Sequence, residues 1–127
     1  MNAFLSLGRW LFPVPFAVFG LFHFMNAQGM TGVVPSYMPA PIAWVYLTGA
    51  ALIGGAISMY IGKYDKLAAT LVAVYMLILV LMVHLPGAMA GTEMSQMSIS
   101  MLLKDLGLAA GAMLYAQYVA KDRSIIG

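Results

Sequence analysis

Met101-Leu-Leu-Lys-Asp-Leu-Gly-Leu-Ala-Ala-Gly-Ala-Met-Leu-Tyr-Ala116 is an apolar run interrupted by one adjacent pair of charges, Lys104 and Asp105. It is the last of four long hydrophobic segments in a chain of 127 residues. Ionisable groups at membrane depth are costly, and they are kept beside a partner, a water-filled cavity or a functional site. The run therefore reads as a membrane-spanning helix, and its charged pair is the best lead to what the protein does.

Composition agrees. The chain is 63% hydrophobic and 8% charged, whereas roughly a quarter of the residues of a soluble domain are charged. Its length accommodates one domain, residues 1–127. The net charge of +2 is spread thinly, without the basic patch that nucleic acid requires. The absence of cysteine removes disulfides, thiolate nucleophiles, Cys-ligated zinc and iron–sulfur clusters. Any redox role must use a borrowed cofactor. The first apolar run has a single basic residue, contains Pro13 and Pro15, and ends Met25-Asn-Ala-Gln28 without a small-x-small cleavage pattern. It is read as a retained span and not a secretory signal.

The four spans are expected at about 6–26, 43–62, 67–86 and 98–119, each near the roughly 20 residues needed to cross a bilayer as a helix. Pro13 and Pro15 should start or kink the first. Arg9, Lys63, Lys66, Lys121 and Arg123 all fall on one side of a four-span chain, and the positive-inside rule makes that side cytoplasmic. Trp10, Tyr60, Tyr64 and Tyr118 mark the inner interface; Trp44 and Tyr46 mark the outer one. The expected fold is an all-α membrane protein, an antiparallel four-transmembrane-helix bundle with both termini cytoplasmic, in a bacterial inner (cell) membrane. The outward loop Ala27 to Pro41 is rich in Gly and Pro and is expected as a turn-rich cap without helix. The second, Gly87 to Ser98, carries Glu93.

Four polar groups fall at similar depth by rise per residue: His23, His84, Lys104 and Asp105. Phe12, Phe16, Phe19 and His23 share one stripe of the first helix. These positions suggest a polar pocket in the outer third, floored by Phe16, Phe19 and Tyr75 and covered by Asn26, Gln28 and Glu93. Adjacent helical residues point about 100° apart, so Lys104 and Asp105 are not expected to share one direction or to need each other as partners. Other readings stand beside this one. The histidines suit an interface, Lys104 can snorkel along its own stem, and the pair can serve as a structural clamp worth about 1 kcal/mol. Gly107 and Gly111 form a GxxxG, and Ala50, Gly54 and Ser58 repeat small-xxx-small spacing, which suits packing within the bundle or between copies. Met94, Met97 and Met101 with His84 offer soft donors for copper(I), and two histidines raise a bis-His haem. Methionine is also an ordinary filler of apolar gaps, so quinone stands ahead of haem or copper and no metal site is assigned.

Over nearly its whole length the chain resembles the DoxX family of small four-helix membrane proteins. The landmarks are Arg9, Gly20-Leu-Phe-His23, Gly54-Gly-Ala-Ile-Ser-Met-Tyr-Ile-Gly-Lys63, Leu67-Ala-Ala69, His84 and Leu103-Lys-Asp-Leu-Gly-Leu108. Where members often carry a glutamate before the double glycine, Leu52 stands here. Asp105 is then the expected counter-charge of Lys104. The resemblance implies an integral subunit of a membrane redox system, quinone-linked, inactive alone and associated with other membrane subunits or further copies of itself. Lys104 would donate to a quinone oxygen, a histidine would carry a proton, and Asp105 would orient them. A non-catalytic scaffold or assembly factor is the alternative, and solute transport a weaker third reading.

Overall fold

The computed structural model describes residues 2–30, 39–91 and 95–122. Among them there is no strand. The elements are α1 (Asn2–Met25), the short α2 (Ala27–Met30), α3 (Pro41–Ile61), α4 (Asp65–Met89) and α5 (Ser95–Val119). All but α2 are long and apolar enough to cross a membrane.

Pro13 and Pro15 lie in the last segment of α1, where the helical ladder is interrupted. Its α-helical segments are Asn2–Ser6, Gly8–Leu11 and Pro13–Met25, with Pro13 at a segment start. The intervening Leu7 and Phe12 keep right-handed helical dihedrals. Helix therefore begins before the expected residue 6, since a proline removes one donor without preventing helix upstream. Asn26 leaves the helical region at φ −125°. The next residues then close one turn, Met30 N–H donating to the Asn26 carbonyl at 3.0 Å. The loop expected to lack helix thus begins with α2; its residues 31–38 and Glu93 lie outside the described residues.

α3 ends on Gly62, whose φ of +72° and N–H bond to the Ser58 carbonyl form a left-handed cap. Tyr64, at φ +56°, completes the turn into α4. There the buried Asp65 carboxylate accepts three backbone N–H groups, from Lys66 at 3.0 Å and from Lys121 and Asp122 at 2.8 Å. Asp122 reciprocates by accepting the Tyr64 N–H at 2.8 Å. This clasp ties the end of α5 to the α3–α4 turn. Trp10 stacks on Tyr60 at the same end, with the Tyr60 hydroxyl donating to the Trp10 carbonyl.

α1 packs on α3, α3 on α4, and α4 on α5. Between apolar helices in lipid the drive to associate is close packing and not water release. Small residues provide it. A Cβ at Gly20 would stand 2.7 Å from the Gly49 carbonyl, and one at Gly49 would stand 2.5 Å from His23 Cβ. Ala69 and Ala73 of α4 share a buried core with Ala109, Ala112 and Ala116 of α5, completed by Phe16, Leu52 and Met59. The small-residue motifs seen in the sequence lie elsewhere. Gly54 and Gly107 have open space beside them, and Gly111 receives the Phe12 ring. The α1–α3 contact runs instead through Gly20 and Gly49, one residue off the Ala50-Gly54-Ser58 stripe.

Candidate functional site

Away from the Asp65 clasp, α1, α3, α4 and α5 line a cavity of about 680 Å³. Its wall is mainly apolar, with Trp44, Leu52, Met76 and Met82 among the lining residues. Six of the seven residues expected from the sequence line it: Phe19, His23, Tyr75, His84, Lys104 and Asp105. Phe16 does not. It is fully buried in the core, edge-on to Phe12 with ring centroids 5.1 Å apart. The stripe it shares with Phe19 and His23 runs down α1, so its deeper member meets packed helices while the other two meet the cavity.

His84 reaches the cavity from a widened turn. Residues Val80–His84 form a π-helical segment, with the Leu85 N–H donating to the Val80 carbonyl. Pro86 supplies a physical reason, having no N–H and a ring that crowds the carbonyl four residues back, that of Met82. Helix nevertheless continues to Met89, past the expected end at residue 86. The His84 Nε2–H donates to Asp105 Oδ2 at 2.9 Å, and both side chains are buried. This bond fixes the ring's orientation and the nitrogen that carries the proton.

Lys104 stands differently. Its side chain is about half exposed, its Nζ lies 3.9 Å from Asp105 Oδ1, and the same ammonium sits 4.6 Å from the Phe19 ring centroid. The two neighbours face differently, Lys104 half exposed and Asp105 buried, yet their charged ends come within 3.9 Å. A lysine stem is long and flexible enough to span the angle between neighbouring Cβ vectors. Asp105 thus faces a partner on each carboxylate oxygen, the His84 imidazole on Oδ2 and, at longer range, the Lys104 ammonium on Oδ1.

His23 is held by its own helix, Nδ1–H donating to the Phe19 carbonyl at 2.6 Å. Gly49 admits it, since a side chain there would collide with its Cβ. Sequence reasoning missed Thr48, which lines the cavity with its hydroxyl bonded to the Trp44 and Val45 carbonyls of its own helix. A lone threonine in an apolar span gives no signal of which way it faces. Trp44 carried one as an interfacial marker, and it also forms part of the wall.

Met97 and Met101 line the cavity with His84, and Met94 lies outside the described residues. Among the described residues no three His, Cys, Asp or Glu side chains cluster as a metal site. Chemically, the cavity offers an apolar volume with an ammonium, an oriented imidazole and a shared carboxylate at one part of its wall. That combination suits a mostly apolar ligand with a hydrogen-bonding group at one end.

Residues 12–120 match a family described as a domain of unknown function, DUF8561, and the chain belongs to that family. No curated protein and no solved structure matches it.

Proposed function

We propose that this protein is an integral membrane subunit of a redox system, holding a quinone-like ring in the cavity beside Lys104. One observation carries the reading. A half-exposed ammonium and a buried histidine–carboxylate pair converge on the wall of an otherwise apolar cavity. The resemblance to the DoxX family, carried in part by the same His23, His84 and Lys104-Asp105, agrees with it. In this reading the chain is an antiparallel four-span bundle in a bacterial inner membrane. The distribution of Arg9, Lys63, Lys66 and Lys121 puts both termini in the cytoplasm and the cavity in the outer half.

A quinone supplies two-electron, two-proton chemistry when bound. Its flat ring and paired oxygens fit the donor set. Lys104 donates to one ring oxygen, its ammonium held in place by Phe19 and Asp105. Asp105 keeps the proton of His84 on Nε2, which leaves Nδ1 as the atom that can accept or return a proton. With no cysteine in the chain, a quinone held here would exchange electrons with a centre on a partner subunit.

The test is a titration of the protein in lipid nanodiscs with a benzoquinone carrying a decyl chain, read by quenching of Trp44. Saturable quenching is expected, weakened about tenfold or more in Lys104→Ala, the size of a lost charge-assisted hydrogen bond. Quenching that never saturates, or is unchanged in Lys104→Ala, sinks the reading.

A scaffold role is the second reading, favoured by the open space beside Gly54 and Gly107 on α3 and α5. It predicts that Gly107→Leu releases a partner while Lys104→Ala leaves that partner bound.

A further inference from the structure

A second concavity, of about 400 Å³, runs between α3 and α4. It shares Thr48, Leu52 and Tyr75 with the cavity beside Lys104 and extends to Tyr64 at the other end of the α4 span. From Tyr75 to Tyr64 is about 16 Å along a helix. Its walls are Ala51, Gly55, Ala68 and Leu71, so the small residues of α3 leave room that larger ones would fill. The Thr48 hydroxyl where the two spaces adjoin is already bonded to the Trp44 and Val45 carbonyls. Ala51 is exposed on the groove, so its small size is not required by helix packing, whereas Gly55 is buried and a Cβ there would stand 3.2 Å from Val72.

We infer that the α3–α4 groove holds the apolar chain of the same molecule whose polar head sits beside Lys104. The inference rests on the reading of the cavity as a ligand site and narrows its ligand class. The ligand is a membrane-resident amphiphile with a hydrogen-bonding ring head and a long hydrocarbon tail, not a small soluble molecule. The two spaces adjoin at Thr48, Leu52 and Tyr75, which line both, and this adjacency carries the inference. A tail leaving a head at Lys104 would cross at Tyr75 and Leu52, and the space beyond them is a largely apolar groove between two helices rather than a polar loop. A lipid chain unconnected to a head is the competing occupant.

The experiment compares two probes in nanodiscs, with concentrations referred to the bilayer so that partitioning cancels. One is the decyl-bearing benzoquinone; the other is the same head with a methyl in place of the chain. Wild-type protein is expected to bind the decyl compound about tenfold more tightly. Ala51→Phe, which fills the groove from an exposed position, is expected to abolish that preference and leave the methyl compound unaffected. A decyl probe with a photoreactive tail end is expected to label α4 between Leu67 and Leu71, and to lose that label in Lys104→Ala. Equal binding of both probes with no effect of Ala51→Phe overturns the tail inference and leaves the head site standing. Labelling by a ring-free alkyl probe at equal strength, or labelling unchanged in Lys104→Ala, assigns the groove to bulk lipid and also overturns it. Failure of both probes to bind removes the head site and the tail inference together.

Discussion

His84 of α4 donates its Nε2–H to Asp105 of α5 across 2.9 Å, in a setting where both side chains are almost wholly enclosed. The bond joins two helices near the level at which Lys104 meets Phe19. It is structural and chemical at once, and the two roles separate on mutation.

Asp105→Ala should lower stability by about 1–2 kcal/mol, above the usual value for an interhelical hydrogen bond because an imidazole is left buried without its acceptor. A double-mutant cycle with His84→Ala, measured by unfolding in bicelles, should give a coupling energy near 1 kcal/mol. Strict additivity of the two single changes would show that the bond contributes nothing.

Lys104→Met should behave oppositely. Its ammonium is half exposed and its ion pair long, so the stability change should stay within about 0.5 kcal/mol. Loss of Trp44 quenching by the decyl quinone should accompany it. Unfolding comparable to that of Asp105→Ala would instead mark Lys104 as part of the clamp.

Gly49→Ala should cost about 1–3 kcal/mol through overpacking, because the new methyl meets His23 and the Gly20 carbonyl. Gly54→Ala, with open space beside its Cα, should be neutral or slightly stabilising. Thermal unfolding of the two variants side by side tests whether the α1–α3 crossing lies where the glycines are enclosed.

Asp65→Ala should cost about 3 kcal/mol, since three backbone N–H groups lose a charged acceptor inside the protein. Amide exchange at Lys121 and Asp122 should accelerate well beyond that of neighbouring α5 amides. Unchanged exchange there would show that the clasp does not hold the end of α5.

The spans were legible because twenty-residue apolar runs have one solution in a bilayer, a helix. The polar residues of the site were legible for a related reason: His23, His84, Lys104 and Asp105 stand out against an apolar background. Facing was harder. Phe16 and Phe19 share a stripe, yet one is core and the other cavity wall, which depends on how far the neighbouring helices extend. Gly49 and Gly54 are equally small, and only the crossing point of α1 separates the enclosed one from the open one. The Asp65 clasp was not legible at all. It joins residues 56 and 57 positions apart, and nothing local to Asp65 announces that Lys121 and Asp122 will arrive there.

The wide turn at Val80–His84 sets where along α4 chain length determines chemistry. The turn holds one residue more than an α-turn, so removing one of Leu81, Met82 or Val83 lets it close to an α-turn while His84 keeps its bearing on Asp105. A one-residue deletion in the regular helix before Val80 has no such slack and would turn the imidazole about 100° from Asp105. The pairing is therefore guarded by a count of residues as much as by their identity.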